Sequence, residues 1–294
     1  MSSLKDYIHS KRNTLSVSSI TTYASILKNL YKNVFNSDNI DIKKFDEVNK
    51  ILEYLHNIPV NKRKTILSAL VIITDNKEYR NLMLNDVKKY NIDISKQEKT
   101  PEQETSWVEE DEIKNIWDEL KANAELLYKK KNLKPSDLQQ IQNYIILSLL
   151  GGIYIPPRRS KDYVDFLIKN IDKTKDNYIE KNKLIFNSYK TAKTYGQQEL
   201  EIPKQLQQIL KKWISINPTN YLLFDIYLKP LNAVKLNQRL NKIFNLKKVG
   251  VNSLRHTYLT DKYKDTIELK NNINKTMSEM GSSSKQLETY VKKD

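Results

Sequence analysis

The sequence predicts a mainly α-helical protein, with a small all-helical domain followed by a mostly helical domain that carries one small β-hairpin or sheet. Three observations lead to that expectation. Apolar residues recur at three- and four-residue spacing along much of the chain. Residues 96–106, KQEKTPEQETS, hold no apolar residue except the restricted Pro101 and read as a linker. Between Lys183 and Pro203, two short strand-like runs flank a turn that contains Gly196. The expected domains are therefore 1–95 and 107–294, joined by 96–106.

In the first domain, Ile20, Tyr23, Leu27, Leu30, Tyr31 and Val34 fall on one face of a helix that Ser18 or Ser19 is placed to cap. Two further amphipathic stretches, Val48 to Leu55 and Ile66 to Ile73, are separated by a turn at Ile58-Pro59. Lys62, Arg63 and Lys64 stand at the start of the third helix, where cations and free backbone amides can meet a phosphate. The plainer reading of this triplet is a solvated basic turn. A short helix over Tyr79 to Lys89 closes the domain.

Beyond the linker, Glu109 to Leu120 restarts a helical pattern, and Leu138 to Leu150 gives a strongly apolar helix ending at Gly151-Gly152. Strands are expected at Leu184 to Phe186 and Leu200 to Ile202. Helices resume over Leu206 to Trp213, Leu231 to Phe244, Ser253 to Tyr263, Asn271 to Met280 and Ser284 to Lys292. No internal repeat is visible.

Composition limits the chemistry. The formal net charge of +15 over 294 residues asks for a polyanionic partner, nucleic acid or an anionic membrane surface. No run approaches a membrane span and the first thirty residues lack a signal-peptide core, so an intracellular, unsecreted protein without a membrane partner is expected. With no cysteine, disulfides and thiolate chemistry are excluded. The five glycines form neither a phosphate-binding loop nor a dinucleotide fingerprint, and the three histidines are too scattered for zinc. No cofactor and no metal are expected, although scattered carboxylates leave a magnesium site open.

Four places in the second half carry the chemistry. Pro156-Pro157-Arg158-Arg159-Ser160-Lys161-Asp162 follows the apolar helix. Tyr189-Lys190-Thr191-Ala192-Lys193-Thr194 lies in the hairpin. Asn252-Ser253-Leu254-Arg255-His256-Thr257 opens a helix, for which Asn252 is a suitable N-cap, with Leu254 and Leu259 turned to the core. Met280-Gly281-Ser282-Ser283-Ser284 precedes Tyr290 by a few residues. Taken singly, each has an ordinary reading: a basic turn, hairpin lysines, an exposed helical arginine, one of 18 tyrosines.

Taken in order, they resemble the tyrosine recombinase (phage-type integrase) family, and the Pro-Pro-Arg-Arg and Tyr-Lys-Thr stretches are most similar to integrases of large DNA viruses and related mobile elements. The resemblance implies a helical core-binding domain that clamps DNA, then a catalytic domain. It implies Tyr290 as nucleophile and Arg159 and Arg255 as the phosphate-binding arginines. Arg159 is preferred because it sets Asp162 three residues on, whereas Arg158 would set Lys161 there; Arg158 then becomes a DNA-binding residue beside Lys62, Arg63 and Lys64. The catalytic lysine is Lys190 counted from the first strand, or Lys193 counted back from Ile202-Pro203. Asn252 and Ser282 stand where the family usually has histidines, so the acid–base groups are altered. The implied partner is double-stranded DNA at attachment sites, bound as a homo-tetramer at a synapse by chains that are monomers or dimers when free.

The physical logic agrees. Two arginine forks match the non-bridging oxygens of a phosphodiester and stay charged. They also favour a phenolate nearby, while a lysine can protonate the departing 5′ oxygen. The 3′-phosphotyrosyl link then allows rejoining without a nucleotide cofactor. Two other readings share the motifs: a non-catalytic DNA-binding descendant of the family, and a type IB topoisomerase or telomere resolvase.

Overall fold

The computed structural model describes residues 3–292 and is mainly helical, with one three-stranded antiparallel sheet. The chain divides into two compact units, 1–98 and 99–294.

The first unit is all helical: α1 (Leu4–Lys11), α2 (Val17–Phe35), a 3-10 turn (Ile42–Asp46), α3 (Val48–His56), α4 (Val60–Thr74) and α5 (Lys77–Ser95). The cap of α2 is Ser16, whose side chain accepts from the Ser19 amide, rather than Ser18 or Ser19; the helix therefore starts two or three residues earlier than expected. Ile20, Leu27, Leu30 and Tyr31 are buried on the expected face. They meet Phe45, Ile51, Leu55, Leu67, Leu70, Ile73 and Tyr79 in one core. α5 outruns its expected end at Lys89 by six residues, with Ile92 and Ile94 on its exposed side.

In that core Arg63 departs from its expected place in a basic phosphate-binding turn. Its guanidinium turns inward onto Asp86 of α5 through two hydrogen bonds of 2.7 Å, and a third donor reaches the Leu55 carbonyl at 3.4 Å. One side chain thus ties together α3, α4 and α5, and Asp86 is fully buried with its charge matched. Lys62 remains exposed, while the Lys64 ammonium sits over the Tyr90 ring.

The second unit opens with α6 (Pro101–Ser106), α7 (Glu110–Leu127) and α8 (Pro135–Leu150). Part of the presumed linker is thus helical, because Thr100 and Gln103 close a capping box around Pro101 at the helix start. α8 is buried on nearly every side, and the rest of the unit packs about it. The side-chain amide of Gln142 on α8 exchanges two 2.8 Å hydrogen bonds with the backbone of Phe224. Trp213 stacks on Phe224 at 5.6 Å from α11 (Lys204–Ile216). α12 (Ala233–Ile243) is pinned to α8 by Arg239, which donates to the Gln139 carbonyl and to Asn143, both at 3.0 Å.

Between α8 and α11 lie α9 (Lys161–Val164), β1 (Tyr178–Glu180), β2 (Lys183–Phe186), α10 (Ala192–Tyr195) and β3 (Gln198–Glu201). The strands pair in sequence order, with Tyr178 opposite Ile185 and Leu184 opposite Leu200. The sheet has a third strand beyond the expected hairpin. β3 starts two residues earlier than expected, and its connection to β2 contains the helical turn α10.

The C-terminal part corrects four expectations. Ser253 to Met280 is not two helices but one, α13 (Val251–Glu279), because no glycine or proline interrupts it. Gly250, not Asn252, takes the N-cap position, and the Val251 amide is satisfied by the Asn237 side chain at 3.2 Å. Leu254 is buried as expected, whereas Leu259 is half exposed, because α13 leaves the core after Thr257. Past the helix end, Gly281 lies in the left-handed region, φ 69°, with Ser282 N donating to Met277 O at 2.8 Å. The chain then reverses into a 3-10 turn (Ser284–Gln286) and the single turn α14 (Leu287–Tyr290), in place of a helix from Ser284 to Lys292.

Candidate functional site

Three arginines from two distant stretches meet in the second unit. Arg158, Arg159 and Arg255 line one open pocket of about 240 Å³, together with Asp162, Tyr189, Thr191, Tyr195 and Gln198. Pro156 and Pro157 form its other wall. The positioning is local and rigid. α8 ends at Gly151, and the chain then enters the proline pair, where fixed φ angles leave little freedom before α9. Arg255 stands in the second turn of α13, flanked by Leu254 and Thr257, both buried; Thr257 Oγ1 donates to the Val108 carbonyl at 2.5 Å.

The adjacent arginines have different surroundings. Arg158 Nε donates to Asp162 Oδ2 at 2.8 Å and its Nη2 to Gln198 Oε1 at 3.0 Å. The same guanidinium lies 3.9 Å over the Phe186 ring. Arg159 is exposed, and among the described residues it has no acidic partner within ion-pair distance. Burial first, and then the positive charge of Arg159, hold the Arg255 guanidinium below its ordinary pKa, with Asp162 opposing the shift and Arg158 adding to it. An anion in the pocket relieves that repulsion. Asp162 is 2 % exposed, and its Oδ1 has no partner among the described residues, as does the neighbouring Tyr163 hydroxyl.

Asn177 holds the pocket's two halves together, a role that nothing in the sequence pattern marks. Its side-chain amide donates to the Asp162 carbonyl at 3.0 Å and to the Ser188 carbonyl at 2.8 Å. Its oxygen accepts from the Asn187 and Ser188 amides, both at 2.8 Å. Tyr189 Oη then donates to the Gly196 carbonyl at 2.8 Å and closes the β2–β3 connection. Gln198 was missed for a simpler reason: it lies opposite Phe186 in the register, on strand residues that the expected hairpin left in the turn.

The remaining candidates lie elsewhere. Lys190 and Lys193 are both exposed on the connection between β2 and β3, among the pocket residues Tyr189, Thr191 and Tyr195, but neither lines the pocket. Asn252 is exposed on α13 three residues before Arg255, which puts the two on the same helix face. Ser282 is in the C-terminal reversal, with its hydroxyl donating to Gln286 Oε1 at 2.6 Å. Tyr290 is 58 % exposed on α14 and is not part of the arginine pocket. Lys62, Arg63 and Lys64 belong to the first unit, where Arg63 is committed to Asp86.

Among the described residues, no cluster of three or more His, Asp or Glu side chains is arranged to hold a metal ion, and no helix is long and apolar enough to cross a membrane. No family model matches the sequence, and no curated protein matches it. Solved structures similar to the chain include two of the XerH site-specific recombinase. One is a post-cleavage complex bound to palindromic difH substrate, 14 % identical over 89 % of this chain and 73 % of that one, with a TM-score of 0.48. The other is a pre-cleavage complex bound to difH substrate, 16 % identical over 90 % of this chain and 75 % of that one, with a TM-score of 0.49.

Proposed function

We propose that the chain binds duplex DNA and cuts and rejoins its strands as a tyrosine recombinase, with Tyr290 as the nucleophile. The observation that carries this reading is the meeting of Arg158, Arg159 and Arg255 in one open pocket. Three guanidinium groups converging with one buried carboxylate leave a surplus of positive charge suited to a phosphodiester.

In this reading Arg159 and Arg255 take the non-bridging oxygens, and Arg158, held by Asp162 and Gln198, keeps its neighbour in register. The phenolic oxygen of Tyr290 bonds to phosphorus as the bond to the 5′ oxygen breaks. The phenol proton passes to water, and the ammonium of Lys190 or Lys193 protonates the departing oxygen. Asn252 and Ser282 can donate hydrogen bonds to phosphate but cannot exchange protons near neutral pH. Integration into attachment sites, assembly into a tetramer and origin in a virus or mobile element belong to the same proposal.

The test is a nicked DNA substrate that traps the covalent intermediate. Wild type should give a protein–DNA band stable to denaturation that maps to the peptide containing Tyr290. Tyr290→Phe should give none while still shifting DNA in a native gel. A second reading, a DNA-binding protein without catalysis, is favoured by one observation: Tyr290 and Ser282 stand outside the arginine pocket. DNA binding by wild type with no adduct on any trapped substrate would select it.

A further inference from the structure

We propose that Tyr290 acts in trans: the tyrosine of one copy of this chain enters the arginine pocket of a second copy. The inference rests on the recombinase reading and adds to it which copy supplies the nucleophile. Its basis is the geometry of α13. Arg255 lies near the start of this helix and Glu279 ends it, which separates them by about 36 Å of axis at 1.5 Å per residue. The chain from Gly281 to Tyr290 then consists of a reversal, a 3-10 turn and one α-helical turn. Even running straight back along α13, it covers roughly 20 Å. About 15 Å of axis remains, and the Arg255 side chain leans toward the helix N-terminus, away from Tyr290.

The C-terminal hook is fastened where it stands. The reversal at Gly281 is closed by Gly281 N to Ser278 O at 3.0 Å and Ser282 N to Met277 O at 2.8 Å. Met277 is buried beneath the hook, outside both large cores, and Leu287 is half-buried. With both the hook and α13 intact, a tyrosine held this way does not reach its own arginines. A second copy meets the same arginines with the helix intact.

The middle of α13 fits such a partner. Leu259, Tyr263 and Ile267 follow one another at four-residue spacing and are 50, 43 and 36 % exposed. A second copy whose hook approaches along α13 covers this stripe. The contact makes each complete site from two chains, an arginine pocket from one and a tyrosine from the other. The covalent step is unchanged: the bond from Tyr290 Oη to phosphorus forms, the bond to the 5′ oxygen breaks, the phenol proton leaves to water and a lysine proton goes to the 5′ oxygen.

The test mixes two inactive full-length variants on the nicked substrate. Arg255→Lys keeps the tyrosine and cripples the pocket; Tyr290→Phe keeps the pocket and lacks the nucleophile. The Arg255→Lys chain carries a mobility tag, so that the adduct shows which chain holds DNA. Donation in trans predicts that each variant alone forms little adduct and that an equal mixture recovers about a quarter of the wild-type yield, as random pairing of two chains gives. All of it should run at the tagged position. A mixture as inactive as its components, beside an active wild type, overturns the proposal and selects attack in cis, by an unwound hook or a broken α13. An inactive wild type overturns the recombinase reading itself, and this proposal with it. Both variants should give the native helical circular-dichroism signal and shift DNA, so that a folding defect is recognised as such.

Discussion

Arg158 and Asp162, four residues apart in sequence, are joined by a 2.8 Å ion pair, and that contact separates two neighbouring arginines into different positions. Arg158 is drawn inward against Phe186 and Gln198, which leaves Arg159 facing the open side of the pocket.

The first prediction follows from that separation. Arg158→Ala leaves the buried Asp162 carboxylate without its partner and should cost about 3 kcal/mol of stability, read by urea unfolding. Adding Asp162→Asn should recover part of the loss, since the uncompensated charge is then gone. Arg159→Lys should leave stability within about 0.5 kcal/mol, yet lower DNA cleavage by at least about a hundredfold. A cleavage defect larger in Arg158→Lys than in Arg159→Lys would reverse the assignment.

Asn177→Ala removes four hydrogen bonds at the junction of α9 and the β2–β3 connection. It should destabilise the second unit by about 2 kcal/mol, because one buried and three part-buried backbone groups lose their partners at once. Amide exchange should quicken at Ser188 and Asn187 before the rest of the unit opens. Unchanged protection at both amides would show that the junction holds without it.

In the basic triplet of α4, DNA affinity should fall by roughly three to five decades between 50 and 200 mM salt, if about six to ten phosphates are neutralised. Lys62→Glu should flatten that dependence. Replacing Arg63 with Met and Asp86 with Leu together should not, because the pair is internally neutral and buried. Equal flattening by both changes would place Arg63 at the DNA after all.

The loop before β1 should loosen in strong acid. Asp172 accepts from the Thr174 hydroxyl at 2.6 Å and from its amide at 3.0 Å, and these bonds hold its carboxyl down at a pKa of about 2. The folded value lies below the ordinary 3.8, so the stabilisation is complete above that pH and is lost as pH falls through about 2. NMR titration of the Thr174 amide should show that midpoint, and Thr174→Val should move it upward. An unmoved midpoint would leave the hydroxyl without a part in it.

The sequence revealed most of the helices, since each buries a periodic face: Leu27, Leu30 and Tyr31 of α2 and the whole length of α8 were legible as such. The arginine motifs were legible because adjacency survives in one dimension. Arg63 was misplaced because its partner, Asp86, lies 23 residues away on another helix, and no local pattern records that pairing. Asn177 and Gln198 were invisible for the same reason, their partners being backbone groups and side chains reached only through the sheet. α13 was divided in two because residues 264–270, KDTIELK, are mostly polar and none of them is buried. Propensity continues the helix where packing no longer demands it.

An unbroken α13 makes residue count a measure of both distance and azimuth. Deleting one residue from its middle draws the C-terminal hook in by about 1.5 Å but swings it by about 100° around the axis. Deleting seven draws it in by about 10 Å and returns it to within about 20° of its original bearing. Length changes in this helix are therefore sorted by phase rather than by size. A loss of two turns leaves Tyr290 facing the same way, and a loss of two residues turns it to the opposite side.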